Sequence, residues 1–227
     1  EEFSYWAEAG QKLKNKMLFL VDEDTRSFNK IIDAIRLPKA TSEEKADRSA
    51  ALMMATKYAI EVPFQVMQTA FESFKLLEEM AKNGNPNSVS DAGVGALCAK
   101  AAVEGAYLNV IINCKDLKDA SFVNNITVQA ENLLNEAKTK EREIIQRSVT
   151  QVYDTFVGHV AEGRGMTYEE VDAIGQGRVW TGENAIEIGL VDKLGGLNDA
   201  IEAAKLAAGL ENYKRVEYPT QKDPIQQ

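Results

Sequence analysis

The sequence predicts a mainly α protein, a helical bundle followed by a smaller α/β segment. Apolar residues recur at helical spacing through the first two thirds of the chain. Glycine is crowded into the rest: five of the fifteen lie in residues 1–146 and ten in 147–227. With 44% hydrophobic and 27% charged residues the composition is ordinary for a globular protein, which excludes disorder throughout. A length of 227 residues allows one large domain or two small ones.

The elements follow in order. Over residues 3–35, Phe3, Trp6, Leu13, Met17, Leu20, Val21, Phe28, Ile31 and Ile35 fall on helical spacing, and Pro38 stops the segment. Thr41 with Glu44 three positions on forms a capping box for a second helix. Pro63 is expected to kink or divide that helix before Lys82-Asn83-Gly84 ends it. Asn85-Pro86-Asn87 reads as a turn, and Ser90 or Asp91 as the cap of a third helix running to about Cys114. That helix is apolar on nearly every side, so it is expected to be central and surrounded. Asp119 opens a fourth segment that meets no strong breaker before Gly158, unusually long for one globular helix.

Beyond Gly163-Arg164-Gly165 the pattern changes to α/β punctuation. Thr167 and Glu170 cap a short helix, and glycines then recur every few residues. Arg178-Val179-Trp180 and Leu190-Val191 read as short strands, 183–188 and 197–208 as small helices, and 213–218 as a closing strand. No repeat, low-complexity run or flexible linker separates the two styles. The expected boundary falls between residues 146 and 147, inside the fourth helix.

The formal net charge of -9 argues against an electropositive nucleic-acid surface. Cys98 and Cys114 form neither a disulfide framework nor a paired zinc motif, which fits a reducing, cytoplasmic compartment. No signal peptide is visible, and the most apolar run, 92–114, carries Lys100, Glu104, Asn109 and Asn113, so a soluble chain is expected.

Three polar features bear on chemistry. Asp24 falls on the stripe Met17, Leu20, Val21, Phe28; it is either a half-buried general acid or base, or solvated among Asp22, Glu23 and Arg26. On the third helix Asp91, Gly95, Cys98, Ala102, Gly105, Asn109 and Asn113 share one side, suited to a flat ligand or to close helix packing. The turn at 85–91 presents Asn85, Asn87, Ser90 and Asp91, either for an anionic or amide group or as ordinary turn chemistry. His159 has no nucleophile or second histidine beside it in sequence, and Gly175-Gln176-Gly177 is a turn rather than a dinucleotide fingerprint.

Residues 1–146, through Leu20-Val21-Asp22-Glu23-Asp24-Thr25, Phe28-Asn29, Leu37-Pro38-Lys39, Glu61-Val62-Pro63, Gly84-Asn85-Pro86-Asn87, Ser90-Asp91-Ala92-Gly93-Val94 and Leu108-Asn109-Val110-Ile111-Ile112-Asn113, resemble the cyclodeaminase domain of the formiminotransferase-cyclodeaminase family. The resemblance implies a helical, homodimeric or higher homo-oligomeric domain. It implies closure of 5-formiminotetrahydrofolate to 5,10-methenyltetrahydrofolate with release of ammonia, and no metal or redox cofactor beyond the folate substrate itself. It marks Asp24 as catalytic and Asp22, Asn29, Lys39, Asn85, Asn87, Ser90, Asp91, Asn109 and Asn113 as substrate-binding. The resemblance also implies a preceding helix and glycine-rich loop, which the domain is expected to lack ahead of Glu1.

Residues 147–224, through Tyr153-Asp154-Thr155-Phe156, Gly175-Gln176-Gly177-Arg178-Val179-Trp180-Thr181-Gly182 and Gly189-Leu190-Val191-Asp192, resemble the C-terminal end of signal peptide peptidase A, of crotonase-like fold. In that family the catalytic serine and lysine and the membrane anchor lie upstream of the matched region, so no peptidase activity and no membrane span is expected. An oligomerising scaffold and a chimeric origin are the competing expectations, and methenyltetrahydrofolate cyclohydrolase is the related activity.

Overall fold

Helices account for every regular element of the described residues. The computed structural model describes residues 2–216 and 218, apart from the side chains of Glu2 and Asn87. The helices are α1 (Glu2–Arg36), α2 (Ser42–Asn83), α3 (Val89–Cys114), α4 (Ala120–Arg164), α5 (Tyr168–Ile174), α6 (Gly182–Glu187) and α7 (Leu197–Ala207), with a single 3-10 turn at Pro86–Ser88. The chain forms two compact units, Glu1–Asp154 and Thr155–Gln227.

In the first unit α2 is the hub, packed on α1 and on α3. Its start is the expected capping box: the Thr41 hydroxyl accepts from the Glu44 N–H, and the Glu44 carboxylate accepts from the Thr41 N–H. Of the kink or division expected at Pro63, division does not occur: the helix runs through it. The third helix starts at Val89, one residue ahead of the expected caps, and its N-cap position, Ser88, makes no side-chain cap bond. Asp119 does start α4, its carboxylate accepting from the Phe122 N–H at 3.0 Å.

The core runs along α2, α3 and α4 through Ile60, Met67, Phe74, Ala96, Val103, Val110, Ala130 and Ile144. Small residues set the spacing. A Cβ on Gly95 would fall 2.5 Å from Leu77 Cδ2, and one on Gly93 would press on Ile145 and Ser148 of α4. Ser148 Oγ also donates to the Val89 carbonyl. The expectation that α3 is surrounded is overturned within one chain. Its Ala92, Ala96, Ala99, Val103, Ala106, Val110 side is buried, while Val94, Leu97, Leu108 and Ile112 face outward. By length and composition α3 could cross a membrane, but Lys100 and Glu104, paired at 3.8 Å, sit mid-helix.

In the second unit Val157, Val171 and Ala185 make a small core. The Thr167–Glu170 capping box and the turn at Gly175-Gln176-Gly177 are present, with Gln176 and Gly177 at positive φ. The expected strands are absent among the described residues. Arg178-Val179-Trp180 turns back onto α5 instead, Arg178 Nη1 donating to Ala173 O at 2.6 Å and Trp180 Nε1 to Ile174 O at 2.9 Å. Leu190 and Val191 donate to the Ala185 carbonyl of α6. A strand exists only through a ladder partner, and these short runs have none, so they close helix ends. Residues 213–216 form no strand, and residue 217 lies outside those described. Val179, Leu197 and Leu206 are left largely exposed.

Candidate functional site

The polar chemistry of the first unit gathers on the middle of α2, where Lys57, Tyr58 and Ala59 each hold a different helix. Toward α1, the Tyr58 hydroxyl donates to Glu23, which also accepts from Arg26, and the Lys30 ammonium lies 3.8 Å from the centre of the Tyr58 ring. Arg26 and Lys30 follow Glu23 by three and seven residues, so all three project from one side of α1. The bond from Tyr58, and then that from Arg26, hold the Glu23 carboxyl below its ordinary range; the same bond and burial push the Tyr58 hydroxyl up. The pair is therefore a fixed carboxylate facing a phenol that keeps its proton.

Toward α3, Asn113 Nδ2 donates to the Ala59 carbonyl at 2.7 Å. Toward α4, Lys57 Nζ lies 2.6 Å from Asp119 Oδ2, at the edge of a 430 Å3 polar cleft that reaches Gln129. Lys57 lowers the Asp119 pKa. Because Glu23 and Asn113 bond to neighbouring residues of α2, they stand at one level of the bundle.

The residues expected from sequence divide into two groups. Asp22, Asp24 and Asn29 lie exposed on α1 around Glu23, at the level of the exposed Asn109 and half-buried Asn113 on α3. Asn85, Ser90 and Asp91, all exposed, belong to the other end of α3. Asp91 and Asn109 are eighteen residues apart, about 27 Å of helix. One chain does not bring the two groups together. Lys39 is exposed in the loop after α1, and the side chain of Asn87 lies outside those described. The burial reading of Asp24 is corrected: its side chain faces solvent, and its carbonyl accepts from Ser27 Oγ at 2.7 Å. Around it, Leu20, Glu23 and Ser27 are the residues α1 turns inward. Tyr58 and Glu23 were not among the expected site residues, and spacing alone carried no signal for their meeting. The small-residue face is likewise not a closed slot. Gly95 packs against α2, whereas Cys98, Gly105 and Asn109 are open. His159 is exposed, both cysteines are free thiols, and burial raises the Cys114 pKa.

A sequence profile of formiminotransferase-cyclodeaminase matches residues 1–132. The chain belongs to this family. It belongs also to peptidase family S49, whose profile matches residues 92–211, so the two matches share residues 92–132. Among curated relatives of the formiminotransferase-cyclodeaminase family, the formimidoyltransferase-cyclodeaminase of Sus scrofa is 38% identical over 132 residues, 58% of this chain and 24% of that one. The chain thus spans about a quarter of the length of the animal relatives it matches. The methenyltetrahydrofolate cyclohydrolase of Methylorubrum extorquens is 35% identical over 145 residues, 64% of this chain and 70% of that one. The solved formiminotetrahydrofolate cyclodeaminase of Thermotoga maritima aligns with a TM-score of 0.50 at 26% identity, covering 63% of this chain and 66% of that one. On the peptidase side, the chloroplastic serine protease SPPA of Arabidopsis thaliana is 28% identical over 130 residues, 57% of this chain and 19% of that one.

Proposed function

We propose that the first unit acts on a folate-bound one-carbon group, closing 5-formiminotetrahydrofolate to 5,10-methenyltetrahydrofolate and ammonia in the cytoplasm, without metal or redox cofactor. The observation that carries this reading is the likeness of the helical unit to the Thermotoga maritima cyclodeaminase in both fold and sequence. In the reaction N10 attacks the formimino carbon, the bond from that carbon to its terminal nitrogen breaks, and the N10 proton leaves on the departing ammonia. That proton needs a carrier, and a positioned carboxylate serves best when it is not already committed. Glu23 is held by Tyr58 and Arg26, which leaves Asp24, next to it and solvent-facing, as the proton carrier. Asp22, Asn29, Lys39, Asn109 and Asn113 line the approach, and Asn85, Asn87, Ser90 and Asp91 serve the far end.

Two residue groups about 27 Å apart along α3 cannot enclose one substrate in a single chain. Exposed Leu18, Val21 and Phe28 on α1, with Leu108 and Ile112 on α3, favour a homodimer in which a second copy completes the slot. The test is ammonia release from 5-formiminotetrahydrofolate by the purified chain. Failure to release ammonia at any chain concentration overturns the reading. A second reading rests on the 70% coverage of the Methylorubrum extorquens cyclohydrolase, in which water attacks the methenyl carbon in the same slot. Consumption of 5,10-methenyltetrahydrofolate without ammonia chemistry selects it. The peptidase-like segment is proposed as a non-catalytic assembly element, to which a chimeric origin of the chain would equally lead.

A further inference from the structure

The first turns of α1 meet α2 around a cleft of about 550 Å3, within the range of small-molecule sites. Its floor is apolar: Phe71 and the fully buried Phe74 pack at 5.8 Å between ring centres, beside Leu13. Tyr5 and Trp6, edge to face at 5.1 Å, wall it. Gly10 lets the two helices close beneath it, since a Cβ there would sit 3.1 Å from Leu76 Cδ2.

The rim has the opposite sign to the molecule. Four lysines and two glutamates line the cleft, in a chain whose net charge is -9. Two lysines are already answered, Lys140 by Glu78 at 2.6 Å and Lys16 by Glu72 at 3.9 Å. Lys12 and Lys75 have no carboxylate partner among the described residues, and Lys75 Nζ stands 5.8 Å from the centre of the Trp6 ring. Stacking surface beneath two unanswered ammonium groups suits a ligand with a flat apolar body and one negative end. Trp6 and Asp24 are eighteen residues apart on α1, about 27 Å, so the cleft lies out of reach of the proposed proton carrier.

We propose that this cleft binds a small planar aromatic carboxylate, its ring on Trp6 and Phe71 and its carboxylate between Lys12 and Lys75. The test titrates the full chain with 2-naphthoate, and with 2-naphthalenemethanol as the neutral counterpart, by calorimetry and by the two indole N–H resonances. One naphthoate per chain is expected, moving the Trp6 resonance and not that of Trp180. Naphthoate is expected to bind about tenfold more tightly than the alcohol, and the double variant Lys12→Gln, Lys75→Gln to abolish that preference. Both lysines are exposed, so the variant should melt like the parent. Equal binding of acid and alcohol, a preference surviving in the double variant, or no saturable binding because a second copy fills the cleft would each overturn the proposal.

Discussion

Asn113 of α3 donates to the carbonyl of Ala59, the residue four positions before Pro63 on α2. In an unbroken helix that carbonyl would receive the N–H of residue 63, which proline does not have. The side chain of a neighbouring helix supplies the missing donor. This is why α2 runs from Ser42 to Asn83 undivided, and it gives Asn113 a structural task in addition to its place beside the proposed slot.

The relationship predicts a thermodynamic cycle. Asn113→Ala should cost about 1–3 kcal/mol, because the buried Ala59 carbonyl loses its partner. With Pro63→Ala restoring the helical N–H, the same change should cost less than about 0.5 kcal/mol. Urea unfolding of the four chains measures it; equal costs in both backgrounds would separate Asn113 from Pro63.

The Glu23–Tyr58 pair predicts stability that changes with pH in two windows. The Glu23 carboxyl is depressed below its ordinary 4.5, so its contribution is complete above that pH and disappears as pH falls through the folded value. Tyr58 is raised above 10.0, so its contribution is complete below that pH and disappears as pH rises through the raised value. The Tm gap between the parent and Glu23→Gln should therefore close in acid and hold at neutral pH. Tyr58→Phe should lose its gap in alkali as well.

Asp24→Asn should lower kcat for ammonia release by about 10²- to 10⁴-fold, with a smaller change in KM, since a proton carrier acts mainly after binding. Its melting temperature should stay within a degree or so of the parent, the side chain being exposed. Unchanged turnover would remove Asp24 from the mechanism.

Self-association should depend on the outer side of α3. Leu108 and Ile112 are 60% and 57% exposed in one chain. Leu108→Glu with Ile112→Glu should shift the mass measured by light scattering from a dimer or larger to the monomer and abolish activity, without unfolding the helices by circular dichroism.

Local chemistry was legible in the sequence wherever the partner lies within a turn or two. The Thr41–Glu44 and Thr167–Glu170 boxes are written in adjacent residues and appear as read. That α2 continues through Pro63 was not legible, because the donor to the Ala59 carbonyl comes from Asn113, on another helix. Asp24 and Glu23 could not be told apart by period: 3.6 residues beyond Leu20 falls between them, and Tyr58, across the interface, selects Glu23. The strands at 178–180 and 190–191 were read from residue type alone. Type does not provide the second strand.

The middle turn of α2 has a consequence for how the chain folds. Tyr58, Ala59 and Lys57 reach partners 35, 54 and 62 residues away, so none of the three bonds forms before a large loop has closed. If they form on the late side of the folding barrier, Asn113→Ala speeds unfolding and leaves folding nearly unchanged, which stopped-flow kinetics measures. The belt that holds α1, α3 and α4 to one hub would then set the lifetime of the native bundle more than the speed of its assembly.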